Sequence, residues 1–132
     1  MKPSKKLMQI FPTNFPDKYA VEGHTVQYSN FIEIVQGGPE VANLIIDGKM
    51  LGGKEDYFGG PPVFFKNYMF VPLLKKSFLR RYFKICVINL THPSIAEIGD
   101  KEVLVLLSRV DETTVFFFED LSNTKLKSIR WN

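Results

Sequence analysis

Residues 85–98 (ICVINLTHPSIAEI) and 116–129 (FFFEDLSNTKLKSI) are two copies of one pattern, offset by 31 positions (116 minus 85). In each, an apolar run leads into Asn or Asp, then Leu, then Thr or Ser, and the unit closes on an aliphatic residue with Ile three positions beyond it. Asn89 aligns with Asp120, Leu90 with Leu121, Thr91 with Ser122, Ile95 with Leu126 and Ile98 with Ile129. Short apolar runs joined by Asx and hydroxyl residues read as β-hairpins. The C-terminal half is therefore expected to be an antiparallel meander. The matched polar residues read as hairpin corners, so the repeat is scaffold and the search for function moves to the unrepeated segments.

Turn formers recur elsewhere at intervals that suit an all-β domain. A strand is expected from His24 to Val35, ending at Gly37-Gly38-Pro39. Val41–Ile46 and Lys49–Leu51 follow, joined by Asp47-Gly48, a strong tight-turn dipeptide. Residues 52–62 (GGKEDYFGGPP) are too glycine-rich for a regular element. Val63–Phe65 and Tyr68–Val71 flank Lys66-Asn67 as a hairpin, and Pro72 is expected to end its second strand or place it at an edge. Residues 73–81 read equally as a short helical turn or as the lead into the next strand. Strands at Tyr82–Leu90, Ile95–Ile98, Val103–Val110, Thr114–Glu119 and Leu126–Trp131 complete the pattern, with Gly99-Asp100 as a turn. The continuously apolar Val103–Leu107 reads as a strand buried on both faces or central in the sheet.

The chain has 132 residues, enough for one domain with a core of its own. Twelve Phe residues lean the composition towards pleated, half-buried surfaces. The expected fold is a single all-β domain over residues 1–132, an antiparallel meander forming a sandwich or half-barrel with at most one short helix. Residues 1–23 are expected to be an irregular arm with one short strand near Leu7–Phe11. The single Cys86 suits a reducing compartment. No signal-peptide pattern or apolar run of membrane-spanning length is present, so a cytoplasmic protein with no membrane partner is expected.

No catalytic, cofactor or metal motif is visible, so the chain is read as a non-enzyme that needs no cofactor. His24 and His92 accompany no nucleophile motif and no metal-ligand spacing. The Gly-Gly-Pro tripeptides at 37–39 and 59–61 lack the helix or Lys-Ser/Thr pair of a phosphate cradle. They read as turns whose glycines supply positive φ. The paired carboxylates Glu55-Asp56, Asp111-Glu112 and Glu119-Asp120 read as turn residues. Two segments carry binding chemistry. The glycine loop presents Glu55, Asp56, Tyr57 and Phe58, whose rings either anchor a partner or fold back as a staple. The run Lys75–Lys84 mixes cations with Phe78, Tyr82 and Phe83, a combination that suits nucleic acid as well as protein; Arg80, Arg81 and Tyr82 are its candidate contacts.

The phrases GGPEVANLIIDGKMLGG, YFGGPPVFFKNYMFVPLL, FKICVINL and DETTVFFFEDLSNTKLKSIRW resemble the small β-rich immunity proteins of bacterial polymorphic-toxin and contact-dependent growth inhibition systems. The resemblance spans roughly residues 31–131. It implies a cytoplasmic protein that binds a cognate toxin domain and blocks it. Inhibitors of nuclease toxins are often acidic, whereas this chain carries a net charge of +3, which argues against a nuclease target or else calls for a locally acidic face. The alternative function is a nucleic-acid-binding β module using residues 75–84.

Overall fold

The structure is a computed structural model that describes residues 15–34, 40–78 and 80–132. The strand expected near Leu7–Phe11, the Gly-Gly-Pro at 37–39 and Leu79 lie outside the described residues. No helix occurs among the described residues. Among the described residues, eleven strands form three antiparallel sheets, none closed into a barrel. The first sheet is a meander of β1 (Lys18–Val21), β2 (His24–Glu33), β3 (Glu40–Ile46) and β4 (Lys49–Met50). The second is a meander of β5 (Val63–Phe65), β6 (Tyr68–Lys76), β7 (Arg81–Asn89) and β8 (Ala96–Glu102). In the third, β10 (Thr114–Phe118) lies between β9 (Leu106–Val110) and β11 (Leu126–Arg130). The presence of β1 corrects the expectation of irregular chain up to residue 23.

Strand alternation places two cores on opposite faces of the β6–β7 hairpin. Met69, Val71, Leu73, Cys86, Ile88 and Leu90 face a core shared with Val26, Tyr28 and Leu44 of the first sheet. Phe70, Leu74, Phe83 and Ile85 face a second core, completed by Val105, Val115 and Phe117. Burial on both faces therefore falls to β6 and not to Val103–Leu107. In that segment Val103 is 85% exposed, and β9 begins only at Leu106, as an edge strand.

Pro72 sits inside β6 opposite Ile85, and does not end the strand. Its carbonyl accepts from Gly59 N at 2.8 Å, so its backbone edge faces the 57–59 segment. The N–H that proline lacks is thus missing from the side away from β7, and the β6–β7 ladder is intact. The helical alternative for 73–81 is likewise overturned. β6 continues to Lys76, and Ser77 N donates to Arg80 O at 2.8 Å to close a tight turn into β7. The β-pairing that buries Leu73, Leu74 and Phe83 outweighs the local helical spacing.

Both halves of the sequence repeat are hairpins, β7–β8 and β10–β11. Their corners are set by Asn89, whose Oδ1 accepts from Thr91 N at 3.0 Å, and by Asp120, which accepts from Lys125 N at 2.8 Å and from Thr124 N at 3.1 Å. The registers differ by one residue. Ile98 faces Ile85, whereas its counterpart Ile129 faces Val115 and not Phe116. Cross-strand partners share a face, so the shift keeps Ile129 with inward-facing Val115, while Phe116 carries Arg109 over its ring at 3.6 Å. Gly99 is within β8 and is not a turn: it has φ +76° where the β7–β8 register slips.

Candidate interaction surface

The glycine loop joins the first two sheets. Phe58 exchanges backbone hydrogen bonds with Ala42 at 2.7 and 2.9 Å, while Leu74 N donates to Tyr57 O at 2.9 Å. Residues 57–59 thus act as a one-residue strand between β3 and β6. The Phe58 ring is fully buried in the first core, which corrects its assignment as a partner contact. Phe58 bridges Ala42 on one side and Leu73 on the other, and its ring packs into the core that the two sheets share. Tyr57 is half-buried against the second core. Of the two roles open to these rings, the fold-back staple describes Phe58.

The rest of the loop is organised by a side chain the sequence pattern did not single out. Asn43, only 2% exposed on β3, donates from Nδ2 to the carbonyls of Lys54 at 3.0 Å and Asp56 at 3.1 Å. Its Oδ1 accepts from Asn30 Nδ2 at 3.0 Å. Asn30 sits at φ +59° in the bulge of β2, a conformation that Asn tolerates better than most residues. Asp56 turns inward to accept from Gly53 N at 2.7 Å, leaving Glu55 exposed. At 59–61 the glycines have no positive φ among the described backbone. Gly60 instead permits close approach, since a Cβ there would lie 2.5 Å from the Phe15 ring.

The basic run forms the far end of the β6–β7 hairpin. Pairing holds from Tyr68–Asn89 to Lys76–Arg81, and the turn beyond leaves Phe78 99% exposed. Val103, where the chain leaves β8, is the other large apolar side chain nearly as exposed. A groove of about 420 Å³ runs between them, lined also by Ser77, Arg80, Arg81, Tyr82, Lys101 and Glu102. On the other side of the same hairpin, a groove of about 500 Å³ is lined by Ile32, Glu55, Asp56, Tyr57, Leu74, Lys75 and Lys76. The two segments picked out in the sequence therefore meet around one projecting hairpin. Phe78, Val103 and Lys101 were not among the predicted contacts. A Phe set between Lys-Lys-Ser and Arg-Arg was the available signal for the first, and no sequence pattern marked the other two.

The electrostatics of this end are positive. Glu102, nearly buried, is neutralised by Lys127 at 2.9 Å, and Lys127 reaches Glu119 at 3.5 Å. Hydrogen bonding to Glu102 raises the Lys127 pKa above the ordinary lysine value. Lys75 pairs with Glu97 at 2.7 Å, and that bond raises its pKa in the same way. Arg81 Nη1 donates to Ile34 O at 2.7 Å, and Lys101 Nζ lies 4.9 Å above the Tyr82 ring. These two contacts orient cations without neutralising them. Arg80 and Lys76 are exposed or half-exposed beside Phe78 with no carboxylate partner among the described residues.

His24 and Asp47 together fix a turn. His24 Nδ1 contacts Asp47 Oδ2 at 2.6 Å, and the other Asp47 oxygen accepts from Thr25 N at 2.9 Å, which pins the β3–β4 turn to β2. The bond with His24 is the main cause of a lowered Asp47 pKa. His92 is exposed in the β7–β8 connection. Cys86 is fully buried, and burial pushes its thiol pKa up to about 12, far from a reactive thiolate. No group of three or more potential metal ligands occurs among the described residues. No helix there is long and apolar enough to cross a membrane. Compared with protein-family models, curated proteins and solved structures, the chain matches none of them.

Proposed function

We propose that this chain is a non-enzymatic protein-binding module, most specifically an immunity protein that binds a cognate toxin domain and neutralises it. The observation that carries this is the fully exposed Phe78 at a hydrogen-bonded hairpin tip, with Arg80, Arg81 and Tyr82 beside it. Isolated exposed apolar residues are common on protein surfaces. An exposed aromatic ring beside arginines is the composition of interface hot spots. The ring contributes nothing to the core and is free to contact another molecule.

Nucleic-acid binding draws on the same cations and is the weaker alternative. Lys75 and Lys127 are held by Glu97, Glu102 and Glu119, which leaves fewer cations to release counterions from a phosphate backbone. The test is co-expression with the C-terminal domain of a secreted toxin encoded beside this chain. Neutralisation predicts restored growth and co-elution of the two proteins on size exclusion. A toxin domain that still kills, and elutes apart from this protein, retires the proposal.

A further inference from the structure

We infer that the β6–β7 tip docks, Phe78 first, into an apolar cleft rimmed by carboxylates on the partner protein. This rests on the protein-binding function proposed above. It deepens it by stating which surface binds, and what chemistry the partner presents.

Three observations converge. Phe78 and Val103 are 99% and 85% exposed on the two sides of one groove, so two unburied apolar side chains are offered to an apolar site on a partner. The surrounding charge is one-sided: Arg80, Arg81 and Lys101 line the groove, and its only carboxylate, Glu102, is already held by Lys127. Cations lining an exposed groove and lacking carboxylate partners are complementary to an acidic rim, which speeds association and sets orientation. Finally, the residues flanking the tip are tied together: Ser77 N and Oγ both donate to Arg80 O, at 2.8 and 3.1 Å.

The charge also narrows the partner's surface. A cleft lined with cations would repel this tip, whereas one rimmed by carboxylates would attract it, so the partner is a toxin domain with an acidic, apolar-floored cleft.

The test uses the full chain and the toxin domain, measured by surface plasmon resonance across ionic strength. Phe78→Ala removes an exposed ring, so the fold is retained, and it should weaken binding about 30-fold as a hot-spot truncation does. Arg80→Glu should slow association about 10-fold at low salt and less at high salt. Wild-type association should itself slow as salt rises. Full affinity in both variants, alongside loss of binding in Glu55→Ala or Tyr57→Ala, would overturn the tip as the docking element and leave neutralisation standing. Association that quickens with salt would overturn the acidic cleft. If the wild type gives no complex, both inferences fall together. Phe78-dependent binding to a mixed-sequence oligonucleotide, or to vesicles of phosphatidylserine and phosphatidylcholine, would reassign the tip to a polyanion or a membrane.

Discussion

The buried hydroxyl of Tyr28 donates to the carbonyl of Gly59 at 2.8 Å, so a β2 side chain closes the seam where the first two sheets meet. Burial raises the Tyr28 pKa well above the ordinary phenol value, which keeps the ring neutral and able to donate at any physiological pH. Tyr28→Phe preserves the ring's packing against Phe15 and Phe31 but strands the Gly59 carbonyl. The expected loss is about 1–2 kcal/mol, read as a lower urea midpoint with an unchanged m-value.

Asn43 is the polar centre of the glycine loop. Asn43→Ala would leave the Lys54 and Asp56 carbonyls and the Asn30 amide without their partner. We expect a loss of about 2–3 kcal/mol. Faster amide exchange should be confined first to residues 53–58, because their loop is anchored through this side chain. Uniform exchange change across all three sheets would contradict that role.

The two repeat corners should differ in acid. Hydroxyl donors from Ser122 and Thr124, with backbone donors from Lys125 and Thr124, hold Asp120 well below the usual carboxylate range. Its folded pKa is lower than its unfolded value of about 3.9, so the stabilisation is complete above that value and is lost as pH falls from there through the folded pKa. Asp111, lowered by the backbone N–H groups of Thr113 and Thr114, acts in the same direction. Asn89 does not titrate. In a series of denaturation curves from pH 6 to pH 2, Asp120→Asn should flatten the fall in stability below about pH 4. An unchanged slope would show that the β10–β11 corner is not acid-sensitive.

Gly99 combines a left-handed backbone with a close neighbour. Its φ is +76°, and an added Cβ would lie 2.8 Å from Ile129 Cδ1. Gly99→Ala should cost about 1–3 kcal/mol. Adding Ile129→Val relieves the contact and leaves the backbone strain, so the double variant should recover only part of the loss. Full recovery would assign the cost to packing alone.

The alternation of apolar residues and the Asx, Gly and Ser/Thr punctuation made the all-β class legible, along with the Asp47-Gly48 and Lys66-Asn67 hairpins and the two repeated units. These signals are local, since a turn's φ/ψ demands and a strand's two-residue period act within a few positions. The errors lie where distant chain decides. Pro72 is tolerated because the 57–59 segment, and not another full strand, lies on its N–H side. Residues 73–76 extend as strand because β7 pairs with them, and Val103 is surface because the chain there is crossing between sheets.

The site divides in the same way. The basic run and the glycine loop were visible as unrepeated, binding-competent segments, and their residue types settled the available chemistry. Sequence alone determined that this chain would make antiparallel hairpins and that its cations and rings cluster at residues 75–84. Only the tertiary structure decided which rings are displayed. Phe58 and Phe78 are equivalent as letters in polar, flexible surroundings. Phe58 is buried because its backbone bridges two sheets over a core, while Phe78 is exposed because a four-residue turn carries it past the end of the hairpin, where no other strand reaches.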